Sequence, residues 1–120
     1  RWTPPRGWFW ADPFPVRHDG VDHVFFEAYD YERAIGEIHA VTVDAEGQPS
    51  PHRVVMAGNH HLSYPFLFDH SGEPHLLVEC AQSRRIQAFR TNRFPDAWQP
   101  VATLLDGWRA VDGTLWQQDG

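Results

Sequence analysis

An internal repeat restricts the possible folds of this sequence more than any other feature. Residues 11–27 recur as residues 63–79 without a gap, at an offset of 52 that places Tyr64 where Asp12 stands. A third copy begins at Val111, and the offset of 48 that leads to it pairs Tyr64 with Asp112. A period near fifty residues, built from short β-like runs, is typical of the blades of a β-propeller.

Each repeat contains four segments with the composition of β-strands, which is the number in a propeller blade. Pro13 and Pro15 cannot donate to a ladder, so the opening strand is expected to be short or irregular. Residues 1–10 are expected to form an irregular entry or the outer strand of a preceding blade. In the first repeat the predicted strands are 12–16, 21–28, 35–43 and 53–56.

The sequence therefore predicts an all-β fold, a β-propeller fragment of about two four-stranded blades plus the start of a third. One partial domain covers residues 1–120, with repeats at approximately 11–62, 63–110 and 111–120. Because two blades do not close a ring, we expect the remaining blades to lie in a longer protein.

Composition excludes several classes of function. The net charge is −6, and all ten basic residues are Arg, which disfavours a nucleic-acid groove. The single Cys80 excludes an internal disulfide and a multi-cysteine zinc site, and cysteine use leans slightly towards the cytoplasm. No run approaches the roughly 20 apolar residues of a membrane segment. Glycine-rich phosphate loops, nucleophile elbows and His-Glu-x-x-His patterns are absent from the sequence, so neither a cofactor nor a metal is expected.

The residues that open each repeat are the candidate site, because the inner strands of a propeller converge on a central funnel. This position is held by Asp12, Tyr64 and Asp112, and the aromatic residues Trp10 and Tyr64 are candidates for stacking on a ligand. A second equivalent pair, Glu27 and Glu79, ends two apolar strands, and His61 is expected to enter the same funnel.

Several carboxylates around one cleft are what glycosidic bond chemistry requires, since one donates a proton while another activates water or attacks the sugar. On this interpretation Asp12 is the base or nucleophile. The Glu27 and Glu79 pair has an equally reasonable structural interpretation, in which both satisfy backbone donors between blades. Glu37, which follows Gly36, is expected to be an exposed turn residue.

Five short motifs give the chain a resemblance to a known family. The motifs are Phe9-Trp10-Ala11-Asp12-Pro13-Phe14, Gly36-Glu37-Ile38, His61-Leu62-Ser63-Tyr64-Pro65-Phe66, Phe94-Pro95-Asp96-Ala97-Trp98 and Val111-Asp112. With them the chain resembles the N-terminal domain of glucosamine inositolphosphorylceramide transferases, and bacterial relatives of that domain accompany formyltransferase-like modules. That domain is similar to the five-bladed propeller of glycoside hydrolase families 43, 32 and 68.

The resemblance implies roles for individual residues. In the hydrolases an Asp that opens the first blade is the base or nucleophile, a position matched by Asp12. The Asp that opens the next blade is replaced by Tyr64, so the resemblance implies an incomplete hydrolase set. Glu79-Cys80 is similar to the Glu-Cys acid motif of family 32, which makes Glu79 the second candidate catalytic residue. In the plant proteins glycosyl transfer is assigned to a separate C-terminal domain.

Two functions follow from these observations. The first is a glycosidase-like propeller that handles a sugar or glycoconjugate as an accessory to a glycosyl- or formyl-transferase domain. The second is a non-catalytic carbohydrate-binding or scaffolding propeller, in which Asp12 only bonds a sugar hydroxyl.

The repeat also predicts the behaviour of the isolated 120-residue chain. Each blade of a propeller covers the faces of its neighbours, so two blades leave apolar faces and strand edges uncovered. We expect aggregation or a broad, non-cooperative thermal melt, measured by circular dichroism with light scattering. A sharp two-state transition of a monomer would contradict this expectation.

Overall fold

The computed structural model describes residues 1–118 and is built from β-strands and connecting loops, without a helix in that range. Eight strands form two antiparallel four-stranded sheets in chain order. The first sheet contains β1 (Trp8–His18), β2 (Val21–Asp30), β3 (Ile35–Val43) and β4 (Arg53–Met56). The second contains β5 (Ser63–His70), β6 (Glu73–Cys80), β7 (Arg85–Arg90) and β8 (Gln99–Asp106). The predicted all-β class, with two four-stranded units, is confirmed.

Tight turns at equivalent places make the two sheets alike. β1 is joined to β2 through Asp19 and Gly20, with φ of 48° and 76°, and β5 is joined to β6 through Ser71 and Gly72, with φ of 55° and 78°. Two consecutive left-handed residues define the two-residue hairpin whose twist matches that of the strands. Glycine at the second position meets this requirement without steric cost.

An irregularity interrupts the opening strand of each sheet at the same point of the repeat. The pairing of β1 with β2 shifts between Ala11 and Phe14, and that of β5 with β6 shifts between Ser63 and Phe66. The segments between these residues are Asp12-Pro13 and Tyr64-Pro65, in which the proline has no N–H to give to the ladder. The predicted irregular start of these strands is therefore a β-bulge.

The main core lies between the sheets, where β5 crosses the first sheet and contacts β1, β2 and β3. Phe25 and Leu76 are fully buried there, and Phe14 meets Phe66 with their ring centroids 5.3 Å apart. Trp98 closes one side of this core, against Phe25. Side chains alternate along a strand, so the next residue, Phe26, points away from the second sheet. It forms a smaller cluster with Ala28 and Val41 on the outer face of the first sheet.

Two predictions about the ends of the chain need correction or restriction. Residues 8–10 are not an irregular entry or part of a preceding blade. They begin β1, and Trp8 pairs with Asp30, the last residue of β2. Residues 111–118 of the third copy form no strand, although Gly113 lies against Ile86 of the second sheet. The last two residues of that copy, 119 and 120, lie outside the described range. No helix suited to crossing a membrane occurs among residues 1–118.

We expect Phe25→Ala to lower the free energy of unfolding by about 3–5 kcal/mol, because the ring is fully buried and its loss leaves a cavity between the sheets. Urea titration monitored by tryptophan fluorescence measures the change, in the chain together with the remaining blades that we expect in a longer protein. Phe9→Ala is the matched control, since Phe9 is 48% exposed and its truncation should cost less than about 1 kcal/mol. Equal losses in the two variants would show that the interface between the sheets contributes little.

Candidate functional site

The three residues that open the repeats share one unusual backbone conformation. Asp12, Tyr64 and Asp112 have φ of 50°, 48° and 52°, in the left-handed region that residues other than glycine rarely occupy. In Asp12 and Tyr64 this conformation coincides with the bulge of the opening strand. Bulges re-aim side chains and occur often next to active sites. The repeat-equivalence predicted from sequence therefore extends to the backbone angles.

Glu27 is a buried acid whose pKa is strongly raised. It stands on β2 opposite Ala11, next to the bulge, and is 8% exposed. Burial, followed by the negative charges of Asp12 and Glu79, raises the pKa of Glu27 to about 7. Each effect disfavours the ionised carboxylate, which loses hydration and repels its neighbours. Glu27 can therefore hold or release a proton near neutral pH.

Glu79 occupies the equivalent place in the second sheet, opposite Ser63, but its surroundings differ. Its Oε2 accepts a hydrogen bond of 2.8 Å from the backbone N–H of Asp112. The Tyr64 hydroxyl lies 3.3 Å from Oγ1 of Thr114, in the same segment of chain. The beginning of the third copy is thus attached to the second sheet through Glu79 and Tyr64.

Most of the predicted site residues lie around Glu27. Asp12 and Glu79 are close enough to influence its charge, and His61 places its Nε2 atom 3.4 Å from Glu27 Oε1. Asp112 joins the group through Glu79. Asp12 is exposed and Tyr64 is half-buried, so both are open to solvent while Glu27 is not.

Trp10 lies apart from this group. Its ring packs 4.9 Å from Phe26 and 5.3 Å from His52, in the apolar cluster on the outer face of the first sheet. Its indole N–H is buried and has no hydrogen-bond partner among residues 1–118. Alternation along β2 places Phe26 and Glu27 on opposite faces, so the position of Trp10 does not suit stacking on a ligand held by Glu27.

A second polar group, not predicted from the sequence, lies on the outer face of the first sheet, and the prediction for Glu37 was wrong. This residue is not an exposed turn residue: it lies within β3 and is 7% exposed, with His39 beside it at 2%. Glu37 accepts hydrogen bonds from Arg33 at 2.7 Å and His39 at 3.2 Å, and His39 Nδ1 lies 2.9 Å from His52 Nδ1. Glu37 and His39 are two residues apart in the predicted strand 35–43, so they share one face of it. That spacing was the sequence signal that could have revealed the pair.

Burial is tolerated in this network because its charges are compensated. Burial opposes ionisation of Glu37, but the hydrogen bonds from Arg33 and His39 keep its pKa below the ordinary value. Burial lowers the pKa of His39, so that its ring is neutral near pH 7. Only one proton fits between the facing Nδ1 atoms of His39 and His52. No group of three or more His, Cys, Asp or Glu side chains within residues 1–118 is arranged to hold a metal ion.

We expect Glu27→Gln to stabilise the chain at alkaline pH and to leave its stability nearly unchanged at acid pH. Below its ordinary pKa of 4.5, Glu27 is protonated in both the folded and the unfolded state and contributes nothing to the difference. Between pH 4.5 and about 7 this carboxyl ionises in the unfolded chain but stays protonated in the folded one, so the wild type loses stability as the pH rises through that window, whereas glutamine does not ionise.

The expected gain above about pH 8 is on the order of 2–3 kcal/mol. Urea unfolding at about pH 4 and pH 8 measures it, with Glu46→Gln as control because Glu46 lies exposed in the β3–β4 connection. A gain at both pH values, or at neither, would contradict the assignment of the raised pKa to Glu27.

Comparison with known proteins places the chain in a family. The family model described as "Glucosamine inositolphosphorylceramide transferase 1, N-terminal" matches residues 5–120. No solved structure gives a significant match.

Curated relatives agree with that match. The glucosamine inositolphosphorylceramide transferase 1 of Arabidopsis thaliana is 27% identical over 113 residues, and the proteins of that name from Oryza sativa subsp. indica and subsp. japonica are each 28% identical. In each case the match covers 93% of this chain but 15% of the relative, so the chain spans about one seventh of those proteins. The chain belongs to the family defined by the N-terminal region of glucosamine inositolphosphorylceramide transferase 1.

Proposed function

We propose that this chain is part of a glycosidase-like β-propeller domain that handles a sugar or glycoconjugate. The observation that carries the proposal is the pKa of Glu27, raised to about 7 beside the exposed Asp12. A buried carboxyl and a more exposed one, in environments that separate their proton affinities, form the arrangement that glycosidic bond chemistry uses.

The propeller architecture is supported by the way in which the repeat units are placed. β5 of the second sheet crosses the face of the first sheet, after a bulge at Tyr64. Residues 112–114 in turn contact the second sheet through Glu79, Tyr64 and Ile86, and Asp112 has the backbone angle of Tyr64. Successive units that pack in the same manner are what a closed ring of blades requires.

The proposed chemistry divides the carboxyl groups by environment. Glu27, half protonated near neutral pH, is the proton donor to a leaving oxygen. Asp12, exposed at the bulge, is the base or nucleophile. Glu79, the acid that the sequence suggested, has an oxygen engaged by the Asp112 amide, and its proposed contribution is the negative charge that keeps the proton on Glu27.

The family narrows the class of ligand. The relatives are named glucosamine inositolphosphorylceramide transferase 1, and this chain matches only 15% of their length. We therefore propose an accessory role, in which the domain holds the sugar portion of a glycoconjugate for a glycosyl- or formyl-transferase domain elsewhere in a longer protein. An amino sugar suits a site with several carboxyl groups, because its ammonium group carries the opposite charge.

A second function, non-catalytic carbohydrate binding, is favoured by one specific observation. The position equivalent to Asp12 in the second repeat holds Tyr64, whose hydroxyl is near Thr114. A phenol there can stack on or bond a sugar, but it does not supply the carboxylate that the resemblance to glycoside hydrolases implies.

Asp12→Asn and Glu27→Gln separate the two functions. If the domain is catalytic, each variant should lower turnover of 4-nitrophenyl glycosides, glucosaminides included, by about 10²–10⁴-fold, because a proton-transfer group or nucleophile is lost. Sugar binding, measured by calorimetry with glucosamine, should change by less than about tenfold in Glu27→Gln. Glu46→Gln is the control for both measurements. Binding without turnover in the wild type would support the second function instead.

A further inference from the structure

His61 is held by both sheets. Its backbone N–H donates to Oε1 of Gln82, in the β6–β7 turn, at 2.9 Å. The next residue, Leu62, donates its N–H to the carbonyl oxygen of Gly36 at 2.9 Å. The Tyr29 ring packs against the imidazole, with centroids 5.6 Å apart. A loop residue with this many attachments has its ring fixed with respect to the strands.

The hydrogen bond to Gly36 determines which ring nitrogen of neutral His61 carries the proton. The backbone N–H of Gly36 donates to Nδ1 of His61 at 2.9 Å. An imidazole nitrogen that accepts a hydrogen bond carries no proton, so in the neutral ring the proton is on Nε2. Nε2 is also the atom that lies 3.4 Å from Oε1 of Glu27.

Gly36 is required for this contact because the ring occupies the space of a side chain. A Cβ atom at position 36 would lie 2.7 Å from Cε1 and 2.8 Å from Nδ1 of His61, and 2.6 Å from the carbonyl oxygen of Leu62. These distances are shorter than a carbon atom tolerates, so either the ring or the backbone of the loop would have to move. The absence of a side chain at Gly36 therefore lets His61 approach β3.

We propose that His61 is the positioning residue of Glu27, presenting its Nε2–H to Oε1 so that the acidic proton of Glu27 resides on Oε2. This inference rests on the proposed function, since it describes how the proposed proton donor is oriented. His61 acts through Glu27, whose position it fixes, and Gly36 acts through His61. Oε2 is then the atom from which a leaving group would be protonated.

The groups around Glu27 determine in which direction the loss of His61 should shift the pKa of Glu27. Asp12 approaches from β1 and Glu79 from β6, and both favour the protonated form of Glu27. His61, from the loop between β4 and β5, places Nε2 3.4 Å from Oε1 of Glu27, and a proton on that nitrogen favours the ionised form. Removing that donor should therefore raise the pKa of Glu27 further, whereas a merely structural role would leave its titration unchanged.

The wild-type chain, kept together with the remaining blades that we expect in a longer protein, provides the first test. Long-range ¹H–¹⁵N spectra of histidine-labelled protein at about pH 8 identify the tautomer of each neutral ring. We expect His61 to be the Nε2–H tautomer, with assignment by the loss of its signals in His61→Gln. The Nδ1–H tautomer would overturn the proposal, and this measurement does not depend on whether any other variant folds.

The second test follows Glu27 itself, through the ¹³Cδ shift of labelled glutamate between about pH 4 and pH 9. His61→Leu and Gly36→Ala should each raise the midpoint by roughly one unit, the first by removing the donor and the second by displacing the ring. His61→Gln retains an N–H donor at a similar distance from the backbone, so its midpoint should lie close to the wild-type value. His60→Asn is the control, because this neighbouring histidine is exposed.

These outcomes distinguish the inference from the function on which it rests. If wild-type Glu27 titrates near 4.5, the proposed proton donor is lost whatever His61 does. If it titrates near 7 but His61→Leu and Gly36→Ala leave the midpoint unchanged, His61 is not a positioning residue and the proposed function stands. A lowered midpoint in His61→Leu would likewise overturn the inference.

Discussion

The packing of β5 across the face of the first sheet is the interaction on which the rest of the structure depends. It buries Phe25 and Leu76 in one core, and it fixes where the loop before β5 must run. That loop brings His61 onto Gly36 and towards Glu27. Burial of apolar surface between the sheets thus positions the polar groups as well, because the loop that carries His61 leads directly into β5.

Burial and charge act together on Glu27. An isolated carboxyl at this depth would already prefer its protonated form, and Asp12 and Glu79 strengthen that preference. The cost falls on the folded state above neutral pH, since the ionised form is poorly solvated there. Proteins commonly retain such unfavourable groups where function needs them, which is why a perturbed acid beside a bulge is a reasonable candidate site.

The buried carboxyl groups on the two faces of the first sheet have pKa shifts of opposite direction. On the face towards the second sheet, the pKa of Glu27 is raised, and Nε2 of His61 lies 3.4 Å from its Oε1. On the outer face, Glu37 accepts bonds from Arg33 and His39, and its pKa is lowered. Both residues are less than 10% exposed, so the difference comes from the partners and not from depth. A fully compensated carboxylate is suited to hold structure, and an uncompensated one to exchange protons.

The sequence by itself determined the repeat, the four strands of each unit and the equivalence of Asp12, Tyr64 and Asp112, because these depend on local patterns of proline, glycine and β-branched residues. It also identified Glu27, Glu79 and His61 as candidates. Only the tertiary structure decided that Trp10 faces away from Glu27, since a bulge changes the direction of neighbouring side chains and periodicity does not reveal it. The burial of Glu37, the anchoring of His61 on Gly36 and the raised pKa of Glu27 likewise arise from contacts between residues far apart in the chain, which no local pattern encodes.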